Sequence, residues 1–121
     1  MKTPPIGSLV LDWTKLSVTP TNVGGIRKLF DGSTATFANA EGHVTTLNPH
    51  ETPHPPHRHP DEELIIVKEG TLEVSINGRS GPAGAGSVLF FASQDLHGVR
   101  CESDTPATYY VFRFVTQSGV L

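Results

Sequence analysis

The stretch that decides the fold lies in the middle of the chain and reads His57-Arg58-His59-Pro60-Asp61-Glu62-Glu63. In an extended segment the side chains alternate between two faces, so His57 and His59 point the same way with Cα atoms about 7 Å apart. That spacing lets both imidazole rings converge on one metal ion. Pro60-Asp61 is typical of a turn, and a turn here would bring Glu63 beside the two histidines as a third ligand.

A fourth candidate ligand, His97, follows a second stretch with the pattern of a strand. Gly86 opens that stretch, and it continues as Ser87-Val88-Leu89-Phe90-Phe91. A glycine followed by β-branched and aromatic residues is typical of a turn that leads into a strand. His97 lies just beyond this strand and is the residue that would complete a set of four ligands.

The first stretch resembles the first sequence motif of the cupin superfamily. In that motif His-x-His is followed by three residues and Glu, and then by six residues and Gly. The chain carries the residues of this pattern at His57, His59, Glu63 and Gly70. The family also places a glycine six residues before the first histidine, and Glu51 stands at that position here.

The second stretch is similar to the second cupin motif, which runs Gly, five residues, Pro-x-Gly, two residues, His, three residues, Asn. Gly86 and His97 match this pattern at the expected separation. The Pro, the Gly and the Asn of the motif are replaced by Ala92, Gln94 and Cys101. These replacements leave the ligand set whole.

The resemblance implies an all-β fold, an antiparallel double-stranded β-helix of the jelly-roll type, that binds a divalent metal ion through His57, His59, Glu63 and His97. Three imidazoles and one carboxylate are a borderline to hard donor set without a thiolate, which favours Fe(II), Mn(II), Ni(II) or Zn(II). On a six-coordinate ion, four protein ligands leave two positions for water, dioxygen or a chelating substrate.

Two classes of function follow from such a site. The first is a metal-dependent enzyme that acts on a small organic molecule, as a dioxygenase-like oxygenase, a decarboxylase, an isomerase or a hydrolase. The alternative is a cupin module that binds a metal or a small molecule without chemistry. The fold hosts both classes, so a turnover assay is needed to choose between them.

The rest of the chain is also typical of a β-protein. Twelve glycines and ten prolines separate short β-branched and aromatic runs, without a long stretch at helical spacing. A chain of 121 residues is expected to form one domain. We expect residues 1–25 to form an N-terminal arm, packed on its own barrel or exchanged with a neighbour, and residues 26–121 to form the barrel. The first three strands are predicted at 26–30, 34–37 and 43–47, with turns at 31–32 and 41–42 between them. Asn77-Gly78 predicts a hairpin, and the glycines and the proline of 81–86 predict a loop.

Charge and composition exclude several functions. Nine Lys and Arg against 12 Asp and Glu give a net charge of -3, so there is no broad basic surface for nucleic acid. The longest apolar run, 88–92, is far too short to span a membrane, and we expect no signal peptide. Cys101 is the only cysteine, so no disulfide forms within the chain. We expect a cytoplasmic protein.

Alternation along the strands predicts where further polar groups point. His43 is expected inside, bonded to a hydroxyl such as Thr45, and Asp61 is assigned to a surface turn. His50 and His54 lie in the proline-rich loop 48–56, either solvated or at the mouth of the pocket. By the same count, the side chains expected on the outer surface are Glu62, Arg100 and Arg113.

Strand alternation also predicts the interior of the barrel. In the last strand Tyr110, Phe112 and Phe114 share one face, and we expect that face to join the core. The pocket beyond the metal is then expected to be apolar and to suit an apolar or aromatic substrate. Its predicted lining is Val74, Ile76, Phe112, Phe114 and Cys101.

The segment 63–67 is apolar on both faces, which points to a homodimer. If Glu63 faces inward, Leu64 and Ile66 face outward and need a cover. Either the N-terminal arm, which carries Leu9, Leu11 and Trp13, or a second subunit supplies it. The resemblance to cupins implies dimers formed side by side, and we expect a two-fold axis near these residues.

Overall fold

The computed structural model describes residues 3–117 of the chain. A short 3-10 helix at Trp13–Lys15 precedes the strands. They are β1 (Thr19–Thr21), β2 (Gly24–Gly32), β3 (Phe37–Leu47), β4 (Glu62–Glu69), β5 (Leu72–Ile76), β6 (Arg79–Ala83), β7 (Val88–Phe91), β8 (His97–Cys101) and β9 (Ala107–Thr116). Within the described residues no helix is long and apolar enough to cross a membrane.

The strands form two antiparallel sheets, which confirms the predicted all-β jelly-roll class. The larger sheet has the order β1-β2-β3-β9-β4-β7, and the smaller sheet has the order β6-β5-β8. From β4 onward the chain passes back and forth between the sheets. One end of β4 is thereby brought close to the start of β8, although many residues separate them in sequence.

The hydrophobic core fills the space between the two sheets. Glu63, Ile65 and Val67 are buried along β4 while Leu64 and Ile66 are only half-buried, which confirms the predicted inward face. Full burial of an aliphatic side chain such as Ile65 contributes roughly 1.5–3 kcal/mol. The buried members of the core come from both sheets: Leu47, Ile65, Val67, Leu72, Leu89, Phe91, Val99, Cys101, Ala107, Tyr109 and Val111.

The prediction that the aromatic face of β9 joins this core is wrong. Tyr109 and Val111 are buried inside, and Phe112 and its neighbours of the same phase are half-buried on the outer face. Both faces of β9 are apolar, so the pairing with β4 decides the phase: Val111 lies opposite Ile65 and Tyr109 opposite Val67. Other rings cover the outer face, in the pairs Trp13–Tyr110, Phe30–Phe112 and Phe37–Phe114.

The N-terminal arm lies on the outer face of the larger sheet of its own chain. The Trp13 ring centroid is 6.1 Å from that of Tyr110, and the cationic groups of Arg27 and Lys68 lie 4.5 and 4.4 Å from the Trp13 ring centroid. Cation–π contacts of this kind hold an amphipathic ring at a surface. These contacts place the arm against the barrel of its own chain.

The larger sheet differs from the prediction at one predicted strand and one predicted turn. Residues 34–36 precede β3, which begins at Phe37 and runs through Glu41-Gly42 without a break. A Cβ atom on Gly42 would lie 3.0 Å from the ring of Phe30 and 3.1 Å from that of Phe112. This glycine makes room for two rings and does not make a turn.

The smaller sheet contains a confirmed hairpin and one further difference. Asn77 and Gly78 have φ angles of 50° and 84° and join β5 to β6, as the Asn-Gly pair predicts. Residues 81 and 82, expected in a loop, belong to β6. Because β6 is an edge strand, Pro82 can be accommodated there without loss of a central ladder bond.

Candidate metal centre

The four candidate ligands come from both sheets and from the segment between β3 and β4. His97 is the first residue of β8, and its backbone exchanges two hydrogen bonds of 2.9 Å with that of His57. Glu63 is the second residue of β4. The carbonyl of His59 accepts a hydrogen bond of 2.9 Å from the amide of Gln94 in the loop after β7. Backbone hydrogen bonds to β8 and to the loop after β7 therefore hold the two histidines that lie outside the strands.

One potential ligand atom from each of these four residues lies within 4.8 Å of all the others. Glu63 Oε1 is 3.1 Å from His59 Nε2 and 3.6 Å from His97 Nε2. The centroids of the three imidazole rings are 4.8–4.9 Å apart, and the rings are steeply inclined to each other. The side-chain atoms converge on one point, as a metal site requires.

Hydrogen bonds at Nδ1 determine which ring nitrogen of His59 and of His97 is free to bind a metal. His59 Nδ1 lies 2.8 Å from the carbonyl oxygen of Asp61, and His97 Nδ1 lies 2.9 Å from that of Asp95. A carbonyl oxygen only accepts, so each Nδ1 carries the proton and donates it. In a neutral ring the Nε2 atom is then an acceptor that faces another acceptor, the carboxylate of Glu63.

Such a cluster of lone pairs fits a cation. His97 Nε2 is buried and has no hydrogen-bond partner among the residues that the structure describes. An unsatisfied buried polar atom costs about 1–3 kcal/mol, and a metal ion at the point of convergence would remove that cost. The residues present therefore suit the divalent ion expected from the sequence.

Asp61 supports the cluster from behind, which corrects its assignment to the surface. Its side chain is only 13% exposed. One carboxylate oxygen lies 3.1 Å from His59 Nδ1, and the other accepts a hydrogen bond of 2.6 Å from Arg113 Nε. Burial opposes ionisation, but the hydrogen bond and charge of Arg113 outweigh it and lower the pKa of Asp61. A carboxylate behind a histidine orients the ring toward a metal.

His57 is available to a metal near neutral pH. Burial is the main cause that lowers the pKa of His57 to about 4, and the positive charges that His54, His97, His59 and Arg113 can carry contribute to the same decrease. The His54 ring stacks on His57 with centroids 4.0 Å apart. Of the two loop histidines, His54 thus reaches the site, whereas His50 is exposed and lies 3.4 Å from Asp104.

A cavity of about 350 Å³ lies next to the cluster, and His57, Glu63 and His97 are part of its wall. The predicted lining is wrong, because none of the five residues expected there borders the cavity. The observed apolar wall comes from Ile65, Phe91, Val99 and Val111. Phe91 stacks on the imidazole of His97 with centroids 4.2 Å apart and keeps that ring in place.

Polar groups also line this cavity, in addition to its apolar wall. Arg113, predicted to face outward, borders it, and so do Tyr109 and Thr45. Burial raises the pKa of the Tyr109 phenol; the Thr45 side chain opposes this, while Glu63 and Cys101 add to it. Tyr109 therefore stays a neutral phenol near neutral pH.

His43 was expected inside the barrel with no role at the site, but the structure places it at the cavity beside the metal centre. It borders the cavity, and its Nδ1 lies 2.7 Å from Glu41 Oε2, so its partner is this carboxylate and not Thr45. Nδ1 donates to the carboxylate, which leaves Nε2 as an acceptor. No other residue of 3–117 hydrogen-bonds to this ring. Alternation places residues 41 and 43 on the same face of a strand, so the sequence could have predicted their contact.

Glu62 and Arg100 lie where the sequence predicts them, whereas Cys101 is buried away from the cavity that it was expected to line. Cys101 is fully buried in the core and donates weakly to the carbonyl of Thr105. Glu62 and Arg100 lie on the surface, and Arg100 pairs with Glu102 at 2.6 Å. None of these residues borders the cavity.

The two sheets and the cluster of three histidines and one glutamate define a jelly-roll barrel with a site suited to a metal ion. The chain belongs to the cupin family: the family model described as a cupin domain matches residues 43–113, more than half of the 121 residues. This assignment confirms the resemblance seen in the two motifs. A search of curated proteins finds no match.

Solved structures show the same fold. The polyketide cyclase RemF from Streptomyces resistomycificus is similar with a TM-score of 0.72 and 20% identity, over 89% of this chain and 80% of that one. A predicted oxalate decarboxylase from Thermotoga maritima gives 0.72 and 17%, over 88% and 98%. The cupin domain of Schizosaccharomyces pombe Cnp3 gives 0.75 and 10%, over 91% and 75%. At these identities the likeness shows the fold alone.

Proposed function

We propose that this protein is a metal-dependent enzyme that acts on a small organic molecule, with His57, His59, Glu63 and His97 as ligands of a divalent ion. The observation that carries the proposal is the convergence of ring nitrogens and a carboxylate, all acceptors, beside a cavity. Without a cation, these lone pairs would face one another in a site that excludes most water. The donor set favours Fe(II), Mn(II), Ni(II) or Zn(II).

Each part of the site has a role in this proposal. A divalent ion held there would supply a Lewis acid for an oxygen of the substrate. Ile65, Val99 and Val111 would hold the apolar part of the substrate and exclude water. The His43 Nε2 atom would accept a proton from the substrate and return it, because the Glu41 carboxylate stabilises the imidazolium that forms.

His43 is also the observation that favours an enzyme over the alternative, a module that binds a metal or a small molecule without chemistry. A binding module needs no group for proton transfer, and the Glu41–His43 pair supplies one on the wall of the cavity. Two of the similar structures are named as enzymes, which agrees with this choice.

Turnover is the test of the proposed function. The protein, loaded separately with each of the four metals, is incubated with a library of small organic acids and phenols. Mass spectrometry follows depletion of each compound, and an oxygen electrode follows dioxygen. We expect depletion of at least one compound by the parent, slower depletion by His43→Gln and none by His97→Ala. If no metal-loaded form depletes any compound, the enzyme is excluded and the binding module remains.

We also propose that the protein forms a homodimer through the outer face of β4 and β7. Val88 and Phe90 on β7 are 65% and 57% exposed, and they pair with the half-buried Ile66 and Leu64. β7 is an edge strand of the larger sheet. An apolar edge of this kind is a site for association.

Sedimentation velocity tests the dimer. We expect the parent to sediment with twice the 13.0 kDa mass of the chain and Phe90→Glu to sediment as a monomer. Val10→Glu is the matched control, because Val10 is 95% exposed but lies in the arm. A parent that sediments as a monomer at micromolar concentration would contradict the dimer.

A further inference from the structure

A single arginine borders the cavity beside the metal centre. Arg113 is the only Lys or Arg among the described residues that line it. In the pairing of β4 with β9, Arg113 lies directly opposite Glu63. Side chains of directly opposed residues share one face of a sheet, so the guanidinium and a candidate metal ligand are neighbours on the inner face.

The guanidinium is held in place by a carboxylate that lies outside the cavity wall. Arg113 Nε donates to Asp61 Oδ2 at 2.6 Å. That hydrogen bond raises the pKa of Arg113 although burial opposes it, and the charges of Asp61, Glu63 and Glu41 add to the increase. Within residues 3–117 the guanidinium makes no second hydrogen bond. The two terminal nitrogens thus keep their donors for another acceptor.

The ion pair leaves part of the guanidinium open. The Arg113 side chain is 38% exposed, whereas Asp61, which holds it, is only 13% exposed. An arginine oriented through Nε presents its two terminal nitrogens as a planar fork, the geometry that binds a carboxylate through two hydrogen bonds. The fork therefore fits an anionic group of a ligand.

Charge in the cavity points to the same class of ligand. A divalent ion on three neutral imidazoles and one carboxylate has one net positive charge. The Arg113 guanidinium lies beside it, and although Asp61 balances its charge, its two terminal nitrogens remain open to an anion. The wall around them is largely apolar, from Ile65, Phe91 and Val99. A ligand that bears an anion has one place for it, between the metal centre and Arg113.

We infer that the cavity takes a small carboxylic acid that chelates the metal, and that Arg113 binds its carboxylate. The inference rests on the proposed metal site and narrows the substrate to anionic chelators. The volume, about 350 Å³, is near the lower end for sites that enclose a small molecule. This adds an anionic group to the apolar or aromatic substrate expected from the sequence.

The experiment compares one neutral chelator with two acids that share its chelating group. Catechol, 2,3-dihydroxybenzoate and 3,4-dihydroxybenzoate are titrated by calorimetry into zinc-loaded parent, whose metal content is measured first. The two acids carry the carboxylate in different directions. We expect at least one acid to bind the parent about tenfold more tightly than catechol, as a charge-assisted pair of hydrogen bonds provides. Arg113→Gln should lose this preference and keep its catechol affinity.

The controls separate the possible failures. Arg100→Gln removes an arginine that is also paired with a carboxylate at 2.6 Å but lies outside the cavity, and it should keep the preference. If Arg113→Gln does not fold, Arg113→Lys tests the inference instead. Lysine keeps the positive charge but lacks the planar pair of donors, so this variant should lose most of the preference for the acids over catechol. Equal binding of acids and catechol by the parent, or a preference that survives both Arg113 variants, overturns the inference. A parent that holds no metal instead overturns the proposed function, and the inference with it.

Discussion

Replacement of Asp61 by asparagine should weaken metal binding although Asp61 is not a ligand. The carboxylate lies 3.1 Å from His59 Nδ1 and accepts the 2.6 Å bond from Arg113. Loss of such a supporting group usually costs 10–100-fold in metal affinity. The Asp61 carbonyl, 2.8 Å from His59 Nδ1, remains in the variant and still holds the ring. We therefore expect the lower end of that range, a loss of about tenfold in metal affinity or ~1.4 kcal/mol of binding free energy.

The assay for this variant is competition for Zn(II) against a chromophoric chelator. Glu62→Gln is the control, because it removes the same charge from the next residue, which is exposed. We expect Glu62→Gln to match the parent within about twofold, since exposed charges are screened. If Asp61→Asn binds Zn(II) as tightly as the parent, or if both variants lose the same affinity, then Asp61 does not orient His59.

Three further predictions follow from single residues. The metal-free protein should lose stability as pH falls from 6.5 toward about 4, because the unfolded chain binds a proton at His57 that the folded chain excludes. In urea unfolding, the free energy of unfolding should depend less on pH in His57→Ala than in the parent. The exposed His50→Ala should match the parent. Glu63→Gln should retain more metal than His97→Ala in elemental analysis, because an amide oxygen still coordinates weakly. Gln94→Gly should raise the melting temperature by about 3 °C, since Gln94 has a φ of 67° where the cupin motif has glycine; a lower melting temperature would contradict this.

The candidate ligands could be predicted because their signal is local. His57 and His59 share a face by alternation, and Glu63 follows a turn a few residues later, so short-range geometry places all three. The inward phase of Ile65 follows from the same count. Only His97 needed the resemblance to a known family, because its approach to the others depends on how the two sheets pair.

The residues behind and beside the cluster could not be placed so well. Asp61 and Arg113 meet although 51 residues lie between them, and no local pattern reports a contact of that range. The phase of β9 was also misjudged, since both of its faces are apolar and only the register with β4 decides between them. The error about Arg113 follows directly from the error about β9.

His43 shows a limit of a different kind. Its pairing with Glu41 needs only the alternation of one strand, but Glu41-Gly42 was interpreted as a turn, which broke that strand in two. In the structure Gly42 passes between two rings and β3 continues. A glycine that serves packing is indistinguishable in the sequence from one that serves a turn.

Metal content tests the central claim most directly. The parent and His97→Ala are purified without added metal, dialysed against equal concentrations of the four candidate ions and analysed by elemental mass spectrometry, with circular dichroism to show that both are folded. We predict close to one bound ion per parent chain and almost none in His97→Ala, since the apolar core between the sheets does not depend on the ion. Equal metal content in the two folded proteins would contradict the claim that His97 and the three other residues bind the ion.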